Sequence, residues 1–500
     1  MMKLIRQSKC IFRLFSIFGG ISLGAAVLLF VACGTTTPVE NVPKTSDAQE
    51  MPAIPETTDG SESPSIPEPV PVDTSSAEYI LTEISNALAN GETERALALF
   101  DTLKPEDAEK SEIKLLKASV LISAGNVDDA RTIVTEITLA EPQNIDALLA
   151  LSFIEGASGN ERAQKAVLEE IVNIDPSNDD AYASLGNIAM ASRSYRSAKN
   201  YFDQALKAES SNPDALVGMA ALYSREDNPK SAETLLNRAI RLYPNWTRPL
   251  VDRAKLYDDY GYPEDALKDY DRAKKLDPGD YYIAVDRGNV LMDLRRMDEA
   301  LDEFTRAIEI DQNNFLAYVF SAGIKDDQGD YDGAEKDYAA LIKVRPDYYF
   351  AYEGYGILKM RQNQWAEARD SFEKVYLAVP KEYSYALLTA ANSMKAGKMT
   401  DPKAFLAKAL RNFTRDSLEW YMLRLYHDLN GDNDVSMRID REKDADKKAQ
   451  MLYYLATYYD VRGNERLADT YYLAMRDLDR KGILEWKLNQ MALEERGLQE

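Results

Sequence analysis

The chain has 500 residues, and 83 Asp and Glu against 60 Lys and Arg leave it a net charge of −23. That balance, with a pI near 4.7, repels a phosphate backbone and excludes nucleic acid as a partner. A single histidine and two cysteines exclude a His-based acid–base pair and a His-rich metal site.

Residues 1–33 read as a bacterial export signal. Lys3, Arg6, Lys9 and Arg13 form a basic start, and Leu14 to Ala32 is uncharged and mostly apolar. The run closes on Phe30-Val31-Ala32-Cys33-Gly34. It resembles a lipobox, where a signal peptidase cuts before a Cys that receives lipid, although Phe30 stands where Leu is usual. The resemblance makes Cys33 the lipid-attachment residue and tethers the chain to a membrane. An uncleaved anchor is a second outcome, since 19 such residues can span a bilayer; cleavage and release is a third. Loss of the four basic residues takes the net charge from −23 to about −27. At most one Cys then remains, which excludes an internal disulfide. Residues 34–76 follow, with Pro38, Pro43, Pro52, Pro55, Pro64, Pro67, Pro69 and Pro71 set among Thr, Ser and Glu and no aromatic residue. Such a segment cannot bury enough apolar surface to order itself, and its prolines keep it extended, so it reads as a tether.

From Ser111 to Glu382 the chain repeats itself every 34 residues. Pro142, Pro176, Pro244, Pro278, Pro346 and Pro380 share one slot, which Ser210 and Gln312 fill otherwise. Twelve residues upstream of that slot stand Ala130, Ala198, Ala232, Ala266, Ala300, Ala334 and Ala368, with Gln164 the exception. A further twelve upstream stand Ala118, Ser152, Gly186, Ala220, Ala254, Gly288, Ala322 and Gly356. If small residues are about a quarter of ordinary sequence, filling that slot every time has odds of roughly one in 10⁵. The period therefore reports structure. Each unit reads as two helices whose small residues permit close approach, and Phe202, Tyr270, Phe304, Tyr338 and Phe372 fill the space between. The Pro ends the second helix. Gly125, Gly159, Gly261 and Gly329 mark the turn between helices, where a positive φ suits Gly.

This pattern resembles the tetratricopeptide repeat, W-x₂-L-G-x₂-Y…A-x₃-F…P. The resemblance implies an all-α fold, a right-handed superhelix (α-solenoid) of about twelve helix-turn-helix repeats over residues 77–482. The flanking repeats are irregular. Residues 77–110 keep Gly91, Ala96 and Phe100 but carry Ile84 in a small-residue slot, and 383–416 have Pro402 where Ala belongs. Residues 417–448 keep Trp420 and Gly431 and then read as a charged run, Arg441 to Lys448. Residues 449–482 recover the pattern with Ala456, Tyr459, Gly463, Ala468 and Tyr472. Residues 483–500 read as the capping helix a solenoid end requires, with Trp486 on its apolar face.

No catalytic residue, cofactor site or metal site emerges. A Gly-rich phosphate loop followed by Lys and Ser or Thr is absent. Asp428 to Asp434 alternates side-chain oxygens as calcium loops do, but Asn433 and Ile439 stand where an EF-hand needs Gly and Glu. By the family resemblance, the first helix of each unit lines a concave groove through its second, fifth, ninth and twelfth positions. Those positions give Asn187, Met190, Val217, Val251, Val285, Asn289, Met292, Val319, Phe350 and Met360, apolar enough to receive a protein or peptide segment. A clamp for acidic peptide tails is not implied, because no Lys occupies a fifth position. Asp259, Asp293 and Asp327 recur at one position of successive repeats, joined by Asp252, Asp258, Asp286 and Asp326. This acidic ladder points to a basic partner. The expected function is a membrane-anchored, non-catalytic scaffold of the bacterial cell envelope, facing the periplasm, that binds a partner protein in its groove. The alternatives are an accessory lipoprotein of a solute transport system, binding a small apolar ligand or a solute-binding protein, and an outer-membrane assembly factor.

Overall fold

The computed structural model describes Thr74 and residues 76–498. Cys33, the expected export signal and nearly all of the expected tether lie outside these residues. Among the described residues there are 26 α-helices and no strand. None of these helices is long and apolar enough to cross a membrane. The chain divides into two compact units, Met1–Leu256 and Tyr257–Glu500.

In the first unit, helices come in pairs: Ser111–Ser123 with Val127–Ala140, Ile145–Ala157 with Glu161–Ile174, Asp179–Ala191 with Tyr195–Ala208, and Pro213–Arg225 with Pro229–Leu242. Three residues join the members of each pair, so the two helices must run antiparallel and pack on each other. The second helices end at Ala140, Ile174 and Leu242, two residues before Pro142, Pro176 and Pro244. A residue preceding Pro is driven out of the α region, which fixes that stop. The next first helix is started by an Asn. The side chains of Asn144, Asn178 and Asn212 accept from the backbone N–H of Ala147, Ala181 and Ala215, a cap worth about 1 kcal/mol. The turn slot is left-handed throughout, with φ of +82° at Gly125 and +74° at Gly159 but also +57° at both Arg193 and Asp227. Phe202 is buried between Gly186 of its own pair and Gly218 of the next, and a Cβ at either glycine would collide with its ring. Trp246 is buried with Val217 and Leu236. Ile84 also sits in the core, beside Ala96 and Phe100, so the first pair accepts a large residue in that slot.

The second unit repeats these rules. Tyr281–Asp293 pairs with Met297–Ile310, Phe315–Gln328 with Tyr331–Val344, and Tyr349–Arg361 with Trp365–Ala378. A Cβ at Gly288 would sit 2.7 Å from the Phe304 ring. Two departures have local causes. Pro402 becomes the first residue of a short helix, Pro402–Ala409, and a 3₁₀ turn, Leu410–Asn412, completes it. Pro is tolerated there because its missing N–H is one that needs no intrahelical partner. The charged run Arg441 to Lys448 ends a short second helix, Asp432–Arg441, and opens the next one. Asp444 accepts from the N–H groups of Asp446 and Lys447 and starts a 17-residue helix, Ala445–Val461, so charge there serves as a cap. The last helix is Leu484–Glu495.

Candidate partner-binding surface

The second position of three successive first helices carries a large apolar side chain that stays in solvent: Tyr282 is 61% exposed, Leu316 49% and Phe350 50%. Their neighbours hold them. Tyr281 and Tyr282 rings lie 4.1 Å apart, Tyr349 and Phe350 4.2 Å, and Tyr348 contributes a third ring 5.5 Å from Phe350. A single exposed apolar residue needs no explanation, but a row recurring with the repeat makes these helices the candidate contact surface.

Carboxylates lie along the same helix faces. Tyr282, Asp286 and Asp293 are separated by four and then seven residues, which returns each to one face of the helix. Burial pushes the Asp258 carboxyl up from its ordinary range, and the negative charges of Asp293, Asp259 and Asp286 push it further. The structure thus brings these four ladder residues together in the second unit. Asp259, Asp293 and Asp327 are exposed. Asp252 belongs to the first unit, where Arg248 lies 3.7 Å away. Burial raises its pKa while Arg248 and Lys255 oppose the rise. Asp326 leaves the ladder altogether. It is buried, and Lys487 of the last helix donates to its Oδ2 at 2.7 Å.

The expected groove residues divide by burial. Asn187, Met190, Val251, Asn289, Met292, Val319 and Met360 are half-buried and Phe350 is exposed. Val217 and Val285 are buried. Val217 packs against Leu236 and Trp246, so these two fifth-position residues are core and offer nothing to a partner. Along Asp428 to Asp434, where the calcium-loop pattern fails, the carboxylates already have partners: Asp428 takes Arg424 and His427, Asp432 takes the Tyr459 hydroxyl, and Asp434 takes Arg438. No group of three or more His, Cys, Asp or Glu placed for a metal occurs among the described residues.

Periodicity did not reveal what closes the far end of this surface. The last helix lies against first helices more than a hundred residues upstream. Its Glu485 is wholly buried and receives the Ser384 hydroxyl, the Tyr454 hydroxyl at 2.8 Å and Gln450 Nε2 at 3.1 Å. Glu494 pairs with Arg361 at 3.3 Å. Trp486, expected to lead the apolar face, is only half-buried, and the buried face is built on Glu485, Leu488, Asn489 and Leu493. Beside it, burial raises the pKa of Glu353, countered by the hydrogen bond from the Tyr385 hydroxyl.

Two family models, both described as tetratricopeptide repeat, match residues 87–152 and 189–255 and residues 251–315 and 324–390. Between them they span just over half of the chain. No curated protein matches it. Among solved structures, Pseudomonas aeruginosa pilF is 20% identical with a TM-score of 0.37, over 40% of this chain and 92% of its own. YrrB, described as a TPR protein with an unusual peptide-binding site, is 22% identical with a TM-score of 0.29, over 37% and 95%. The APC/C hetero-tetramer Cut9–Hcn1 is 16% identical with a TM-score of 0.41, over 61% and 59%. On the family models and the helix pairs that obey their pattern, this chain belongs to the tetratricopeptide-repeat family, a family of protein-binding scaffolds.

Proposed function

We propose that this chain is a non-catalytic scaffold, held at a bacterial envelope membrane by lipid on Cys33, that captures a basic segment of another protein. One observation carries the reading: Tyr282, Leu316 and Phe350 stand exposed at the starts of successive first helices, and the carboxylates of Asp258, Asp259, Asp286 and Asp293 gather on the same run of helices. Apolar side chains supply affinity, and the carboxylates supply orientation and speed of encounter. The Glu485 helix reaches back to Asp326 through Lys487, on the helix that carries Leu316, so the partner takes the exposed side chains and carboxylates it leaves uncovered. The anchor rests on the basic start, the uncharged run and the Phe30-Val31-Ala32-Cys33 junction.

Crosslinking in native envelopes followed by mass spectrometry identifies the partner. Changing Asp259, Asp293 and Asp327 together to Asn should then slow association several-fold at low salt and flatten its salt dependence above about 0.15 M, where the screening length is roughly 8 Å. Unchanged kinetics at low salt would remove the carboxylates from the interface. For the anchor, Cys33→Ser should leave an uncleaved precursor of higher mass, and equal processing of both chains would refute lipidation.

A further inference from the structure

Between the last helix and the first helices it covers lies a cavity of about 230 Å³. Met360, Trp365 and Leu388 form one wall, and Leu488 and Met491 of the last helix form the other. The space opens to solvent on one side and its walls are more apolar than polar, so a ligand that displaces its water gains by burying apolar surface. A cavity of about 150 Å³ already holds benzene.

Charge and polarity narrow the occupant. Arg361 reaches the cavity but is paired with Glu494 and lies over the Tyr331 ring. Lys395 reaches it too, paired with Asp460 at 2.9 Å and lying over the Trp365 ring at 4.6 Å. Both cations are satisfied, and Glu495 at the mouth is exposed to water. A net charge on the ligand would therefore find no free counter-charge and would be costly to bury. Asn392, 1% exposed, lines the cavity. Its Nδ2 donates to the Leu388 carbonyl at 2.8 Å, which fixes the amide, and its Oδ1 has no hydrogen-bond partner. A buried acceptor left unmade is destabilising, so a small turn of the amide that brings this oxygen from behind the wall to a ligand donor is favoured. The two methionines adapt to an aromatic face.

We propose that this cavity binds a neutral aromatic molecule of about the size of indole, carrying one N–H or O–H donor that answers Asn392. Because Leu488 and Met491 belong to the last helix, occupancy also fastens that helix down. The inference does not rest on the basic partner, whose carboxylates lie elsewhere.

Indole is the probe, titrated into the full chain by calorimetry, with indene as the same bicycle lacking the donor. Indole should bind one to one and saturably, and indene about tenfold more weakly, the factor expected of one hydrogen bond. In Asn392→Leu the preference for indole should disappear. In Met491→Trp, which fills the cavity from a half-buried position, binding should be lost while the circular dichroism is unchanged. Amide exchange over residues 484–495 should slow when indole is present. Failure of indole to saturate, equal affinity for indene, or binding that survives Met491→Trp would each overturn the proposal. So would a crystal structure grown with indole that shows only water beside Asn392.

Discussion

Phe202 shows how one residue sets the spacing of the helices around it. Its ring fills the space that Gly186 and Gly218 leave by having no Cβ. Gly218→Ala should therefore destabilise the first unit by about 1–3 kcal/mol through overpacking, partly offset by Ala's better helix propensity of about 1 kcal/mol. Gly323 is the control, because a Cβ there meets nothing within 4 Å. Gly323→Ala should stabilise by about 0.5–1 kcal/mol. Opposite signs for one chemical change, read from urea midpoints, test the packing argument directly. Arg193 makes a different point. It holds φ at +57° in the slot that Gly125 and Gly159 occupy elsewhere, so Arg193→Gly should relieve strain and raise stability by about 0.5–1 kcal/mol. A lower midpoint in that variant would mean the Arg side chain matters more than its backbone.

Helices were legible wherever their causes are local. Pro142 and Pro176 announce where second helices stop, Ala130 and Ala198 where two helices touch, and Gly125 where the chain turns. Each rule works within one 34-residue unit, so one chain sufficed to read it. The last helix was legible as a helix but its docking was not. Glu485 and Asn489 look like solvent-facing positions, and the first is buried by Gln450 and Tyr454 together with Ser384, a hundred residues back in the chain. Asp326 misled for the same reason, since Lys487 is 161 residues away. Val217 and Val285 misled differently, because a position that faces a groove in the family is filled here by core. The Lys487 contact can be weighed. Lys487→Ala leaves a buried carboxylate unpaired and should cost about 1–3 kcal/mol, while Asp326→Asn combined with Lys487→Met should recover most of it. A double variant no better than the single would show that the loss does not come from an unpaired carboxylate.

At the scale of the whole molecule, charge dominates. A net charge of −23 works against compactness through self-repulsion, and the crowded carboxylates around Asp258 concentrate that cost. The folded-state pKa of Asp258 is raised, so the folded protein binds its proton more readily than the unfolded chain does. Stability from this group therefore falls as pH rises through the interval between the two pKa values. Asp258→Asn should raise the melting temperature at pH 7, and the difference should vanish once pH drops below the ordinary Asp value of about 3.9. An advantage that persists at pH 3 would trace to packing instead of charge.

Trp246, buried with Val217 and Leu236, has a practical consequence. Of the four tryptophans, it alone falls within Met1–Leu256; Trp365, Trp420 and Trp486 fall within Tyr257–Glu500. Indole-ring fluorescence therefore labels each unit separately without any added dye. With Trp246 replaced by Phe, the remaining emission follows the second unit alone. With the other three replaced, a single buried fluorophore follows the first. Superimposing the two melting curves on far-ultraviolet dichroism shows whether the halves melt as one cooperative block or in sequence.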